Sequence, residues 1–176
     1  MALRIEDYAI IGDCKSAALV GSDGSIDWLC WPRFDSPACF AGLLGGEEQG
    51  CWRIRPTAAV LRQSRRYRQD TLILQQQIET ANGAVEIIDF MPMRSGPSNV
   101  VRIVNGLRGT VAMQMMLTLR FEYGAVSPWI EHEGDVATAE LGPNRVACEV
   151  PPSRTSRPAL SRHLSTSGRA TGIVLS

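Results

Sequence analysis

Residues Thr71 to Phe90 read TLILQQQIETANGAVEIIDF. Two β-rich runs, Thr71–Thr80 and Ala84–Phe90, flank Ala81-Asn82-Gly83, and Asn-Gly is a preferred tight turn because glycine takes positive φ without steric cost. The stretch predicts a β-hairpin. A second turn signal lies upstream, where Ala17–Val20 runs through Ser22-Asp23-Gly24-Ser25 into Ile26–Cys30, predicting a hairpin over Ala17–Leu29. Val100–Val104 and Val111–Phe121 continue the β-rich pattern. The latter, VAMQMMLTLRF, is long enough for a helix, but the alternation of Met113, Met115, Leu117 and Leu119 has the two-residue period of a strand.

One helix is predicted, from Ser36-Pro37 to Gly45. Serine suits an N-cap, proline the first helical position, and glycine the stop. Many strands with one short helix predict an all-β fold, an antiparallel β-sandwich, over residues 1–150. From Pro151 to Ala170 the sequence PPSRTSRPALSRHLSTSGRA holds five serines, four arginines and three prolines against two leucines. Such a stretch buries too little apolar area to offset its ordering entropy, so 151–176 is expected to be an irregular, disordered tail.

A chain of 176 residues with 44% hydrophobic content can bury one core. Eighteen basic and eighteen acidic residues leave no net field, so neither a nucleic acid nor an anionic membrane is an expected partner. The N-terminus lacks the basic-then-apolar plan of a signal peptide, and no run reaches bilayer-spanning length. A cytoplasmic protein is expected. Five cysteines without CxxC spacing argue against a disulfide framework or a zinc site and read as buried free thiols. The two histidines, His132 and His163, sit apart, so neither a catalytic triad nor a metal cluster follows, and no metal or cofactor is expected.

The stretch with most chemistry is GSDGSIDWLCWPRFDSPACF, Gly21–Phe40. Hydrolysis of a glycosidic bond uses two carboxyl groups flanking it. Asp23, in a tight turn, is expected to cap its own backbone. Asp27 alternates with Trp28 along a strand, with Arg33 its nearest local ion-pair partner. Trp31–Pro37 leaves a strand and enters the predicted helix, and such loops collect binding residues. Arg62, Arg65, Arg66 and Arg68 read as a solvated face.

Several motifs together resemble one family. YAIIGD, AALVGSDGSIDWLCWPRFDSP, RRYRQDTLIL, ETANGAVEIIDFMP, VVRIVNGLRGTVAM and RFEYGAVSPW follow in order over about residues 5 to 130 and resemble bacterial glycoside hydrolase family 15, the glucoamylase and trehalase-like group. The resemblance implies an N-terminal β-sandwich that packs on an (α/α)6 barrel holding both catalytic glutamates. No catalytic residue then maps onto this chain, which is expected to be inactive alone on the family's α-glucoside substrates. By the same resemblance, Trp31, Arg33, Phe34 and Asp35 of one loop, with Asp89 of IDFMP, are candidates for the substrate rim or the domain interface. The composition break near residue 150 and the use of seventeen arginines against a single lysine, Lys15, suggest a truncated or frameshifted reading of an incomplete sandwich. Two alternatives are a free-standing carbohydrate-binding or interaction module presenting Trp28, Trp31 and Phe34, and a small hydrolase using Asp27 and Asp35.

Overall fold

A computed structural model describes residues 3–93, 96–133, 136–141, 144–149, 160–166 and 171–175. Strands β1 (Tyr8–Gly12), β2 (Ala17–Gly21), β3 (Ser25–Cys30) and β4 (Ala38–Phe40) precede a single helical turn, α1 (Gly42–Gly45). There follow β5 (Cys51–Pro56), β6 (Val60–Tyr67), β7 (Leu74–Thr80), β8 (Gly83–Phe90), β9 (Val100–Gly109) and β10 (Val111–Thr118). The last strands are β11 (Trp129–Glu133), β12 (Val136–Leu141), β13 (Asn144–Glu149), β14 (Leu160–Thr166) and β15 (Thr171–Leu175). Among the described residues these strands form two antiparallel sheets. One has the order β1-β2-β3-β5-β10-β14 with β4 on β3, the other β11-β12-β13-β15-β9-β8-β7-β6.

Alternation decides which side of each strand is buried. In β10, Val111, Met113, Met115 and Leu117 are buried while the intervening residues are not, which settles the stretch as strand. In β7 the buried set is Leu74, Gln76, Ile78 and Thr80, and in β8 it includes Val85, Ile87 and Asp89. These faces meet Ile11, Val20, Ile26, Leu29, Phe40, Trp52 and Ile54 of the first sheet in one core. Both predicted hairpins form. The β7–β8 register runs from Leu74↔Asp89 to Thr80↔Gly83, and β2–β3 pairs Ala18 with Leu29 across a bulge at Leu19/Val20.

The helix expected over Ser36–Gly45 shrinks to Gly42–Gly45. Ala38, Cys39 and Phe40 are all buried and pair with β3 instead, because an apolar triplet beside Leu29 and Cys30, which lie past the β5 pairing at Ser25 and Ile26, gains both burial and a ladder. Ser36 caps no helix; its Oγ accepts from the Arg33 N–H at 3.2 Å. The stretch expected to be irregular carries two strands. Leu160–Thr166 pairs with β10 and Thr171–Leu175 with β9 and β13, since ladder bonds come from the backbone and form whatever the side chains. The rest of 150–176 lies outside the described residues. Cys30, Cys39 and Cys51 are buried free thiols as expected and Cys148 is buried, whereas Cys14 is exposed. No helix among the described residues is long and apolar enough to cross a membrane.

The two sheets are fastened along one seam by β6. Gln63, Arg65 and Tyr67 share a face of this strand, two residues apart, and each bonds main chain of the opposite sheet. Gln63 Nε2 donates to Ser22 O, and Arg65 donates to Asp7 O at 2.8 Å and Val20 O at 3.4 Å. The Tyr67 hydroxyl donates to Ile10 O and accepts from Ile10 N–H, both at 2.9 Å. The arginine run is therefore only partly a solvated face: Arg65 turns inward, while Arg62, Arg66 and Arg68 remain exposed.

Candidate functional site

The Trp31–Pro37 loop begins at a cis Trp31-Pro32 peptide bond and is held at both ends by backbone bonds. Trp31 N–H donates to Pro37 O at 3.4 Å and Phe34 N–H to Lys15 O at 3.0 Å, which ties the loop to the β1–β2 connection. Within it, Arg33 grips Asp35 with two parallel bonds, Nε to Oδ1 at 2.9 Å and a terminal nitrogen to Oδ2 at 2.8 Å. Both side chains are exposed, so the pair shapes the loop more than it stabilises the fold. Trp31 packs half-buried on the core, whereas Phe34 is 62% exposed. Lys15, Arg33, Phe34 and Asp35 line an open cleft of about 450 Å3. Three of the five residues singled out from the sequence, Arg33, Phe34 and Asp35, thus line one cleft with Lys15, while Trp31 of the same loop packs on the core.

The fifth is elsewhere. Asp89 is fully buried on the inner face of β8, directly across from Arg102 of β9, which is also 0% exposed. Arg102 Nε donates to Asp89 Oδ1 at 2.8 Å and a terminal nitrogen to Oδ2 at 3.3 Å. The other terminal contacts cross the sandwich: Trp52 O accepts at 2.7 Å and Gly24 O at 2.8 Å, with the guanidinium 5.1 Å from the centre of the Trp52 ring. Here Asp89 is a core anchor with no open path to a ligand. Gly24 has φ +82°, and a Cβ there would stand 2.1 Å from Ile54 O, so glycine is required for this approach.

The remaining carboxylates are also committed. Asp23 Oδ1 accepts from Ser25 N–H at 3.1 Å, the turn role expected of it. Asp27 has not paired with Arg33, which is taken by Asp35; its Oδ2 accepts from the Tyr8 hydroxyl at 2.7 Å and Ser25 Oγ at 2.8 Å. Burial, then the Asp27 carboxylate, raises the Tyr8 hydroxyl well above the ordinary tyrosine range. Sequence reasoning also missed an aromatic pair, Trp28 against Tyr123 with ring centres 6.2 Å apart. Tyr123 sits in a run of three left-handed residues, Glu122, Tyr123 and Gly124, whose conformation the sequence signals only at the glycine.

Chemically, the cleft offers an exposed ring, Phe34, two cations, Lys15 and Arg33, and a carboxylate, Asp35, already paired with Arg33. Among the described residues no group of three or more His, Cys, Asp or Glu side chains could hold a metal ion.

The chain is 31% identical over 149 residues to the trehalase of Mycolicibacterium smegmatis, covering 74% of this chain and 22% of that protein. It is 33% identical over 133 residues to trehalase 1 of Sulfolobus acidocaldarius, covering 76% and 22% respectively, and 26% identical over 162 residues to the trehalase of Thermoplasma volcanium, covering 87% and 26%. The chain thus spans about a quarter or less of the relatives it matches. No solved structure matches. Residues 1–148 match the family described as trehalase-like, N-terminal, so the chain belongs to that family.

Proposed function

We propose that this chain is the non-catalytic N-terminal domain of a family 15 glycosidase, an enzyme that hydrolyses α-glucosidic bonds in trehalose or glucoamylase-type substrates. It would pack on an (α/α)6 catalytic barrel through the Trp31–Pro37 loop. The observation that carries this reading is the match of residues 1–148 to the family described as trehalase-like, N-terminal, together with a likeness to trehalases of which the chain covers 22%. The site chemistry agrees: Asp27 and Asp35, the two local candidates for an acid–base pair, are held by Tyr8 and Ser25 and by Arg33. The exposed Phe34 beside Lys15 and Arg33 suits a docking contact.

A second reading, a free-standing sugar-binding module, draws on the same exposed Phe34 and half-buried Trp31. Incubating the purified chain with trehalose and malto-oligosaccharides and assaying released glucose separates catalysis from support. The expected result is no release; turnover above the buffer rate would overturn the non-catalytic assignment. Calorimetric titration with the same sugars addresses the second reading, which gains if saturable heat disappears in Trp31→Ala.

A further inference from the structure

Strand β6 forms one edge of the second sheet and is built unlike its neighbour. A sandwich strand ordinarily turns alternate side chains into the core, as β7 does with Leu74 and Ile78. On β6 the inward positions hold Gln63, Arg65 and Tyr67, and of its eight residues only Arg65 is not exposed. Val60 and Leu61, its two aliphatic residues, are 46% and 70% exposed. A cleft of about 520 Å3, lined by Val60 and Gln63 with Ser22, Gln76 and Ile78, lies against its first half, so packing there is incomplete.

Burial is what makes the release of a core strand cost as much as unfolding the domain. Strand β6 has almost none to lose. It is held by its ladder to β7, from Val60↔Thr80 to Tyr67↔Leu74, and by the bonds of Gln63, Arg65 and Tyr67 to main chain of the first sheet. On opening, each such bond is largely exchanged for one to water, while each residue released regains backbone freedom of comparable worth. The ends of the segment are fixed. Thr57 N–H donates to Ala112 O of β10 at 2.9 Å, and Arg68 N–H to Ile73 O at 2.9 Å in the β6–β7 connection. These anchors bound a stretch, 58–67, that can leave without unpairing β5 from β10 or β7 from β8.

We infer that β6 is a detachable strap, which opens as one unit from both sheets while the rest of the sandwich stays folded. Opening bares two edges on one side of the molecule, that of β7 and that of β1 at Ile10, the two places where an extended segment adds by main-chain bonds. The inference is independent of what docks at the Trp31–Pro37 loop.

Native-state hydrogen exchange of the isotope-labelled chain in low urea is the test. Protected amides of β6 are expected to exchange at least about a hundredfold faster than those of β8, and without dependence on urea. Successive N–H groups of a strand point to opposite neighbours, so β7 should split: amides facing β6 exchange with it, and those facing β8 with the core. Gln63→Ala should speed exchange about fivefold as far along the strand as Tyr67, the effect of one lost hydrogen bond on a segment that opens whole. A strand fraying from one end does not behave so. In a Cys14→Ser background, which removes the exposed native thiol, Ser64→Cys with Gln77→Cys places two thiols at directly paired, exposed positions. Oxidation should slow β6 exchange toward the rate of β8, and reduction should restore it. Strand β6 amides sharing the rate and urea slope of β8, acceleration confined to the neighbours of Gln63, or fast exchange that survives the oxidised cross-link would each overturn the inference.

Discussion

Arg102 concentrates more of the architecture than any other side chain described. Its guanidinium satisfies Asp89 within one sheet and two carbonyls, those of Trp52 and Gly24, in the other. A buried ion pair is not a source of stability by itself, because both charges have been taken out of water. Removing one partner is what hurts. Arg102→Met is expected to cost about 3 to 5 kcal/mol by leaving a buried carboxylate alone. The double variant Arg102→Met/Asp89→Leu should recover part of that loss, as read from urea unfolding midpoints. Equal destabilisation by the single and double variants would contradict this account. The pair was legible in principle: Arg102 alternates with Val100 and Val104, and Asp89 with Ile87, so both fall on apolar-facing positions of consecutive strands. Its partners across the sandwich were not, because no spacing along one chain reports which turn of the facing sheet will lie beneath a side chain. The same limit explains Asp27, whose nearest cation in sequence is not its partner in space.

At the scale of elements, β6 shows what an exposed-looking strand can do. Tyr67 meets both main-chain groups of Ile10 on the outer edge of β1, groups that would otherwise be free to pair with another chain. Tyr67→Phe is expected to lose about 1 kcal/mol of stability and to expose that edge. Light scattering should then show concentration-dependent association that the parent chain lacks at matched concentration; a monomeric variant of unchanged stability would refute the edge-sealing role. Strand identity and both hairpins could be read from turn chemistry and from the period of VAMQMMLTLRF. The element misjudged was Ser36–Gly45, where good capping residues lost to the burial of Ala38, Cys39 and Phe40 against β3. Strands at Leu160–Thr166 and Thr171–Leu175 escaped for a related reason, since composition speaks for side chains and their ladders are made of backbone.

For the molecule as a whole, the groups that burial perturbs all move the same way. Tyr8, Cys30 and Cys39 are raised, each chiefly by desolvation, and Cys51 is pushed up to about 12. A raised folded value means that the native state holds its proton longer than the unfolded chain does. The associated stability is present below the unfolded values, about 8.5 for cysteine and about 10 for tyrosine, and drains away as pH climbs toward the folded ones. Unfolding midpoints should therefore fall steadily above about pH 8.5, with Tyr8→Phe flattening the part of that decline above about pH 10. A pH-independent midpoint across this alkaline range would count against the partly buried Tyr8–Asp27 bond. The all-β class and the paired-sheet plan were visible in the sequence, whereas the seam was not, because it is written in side chains that bond main chain far away.

Those distances carry a consequence for how the chain reaches its form. The turn at Ser22–Gly24 is held by Gln76, 54 positions later, and by Arg102, 78 positions later. The first hairpin can pair early from local contacts, yet it stays unfastened until half of the second sheet exists, a topology whose closing contacts are long-range and slow to form. A growing polypeptide would leave the ribosome with its first turn waiting on its ninth strand.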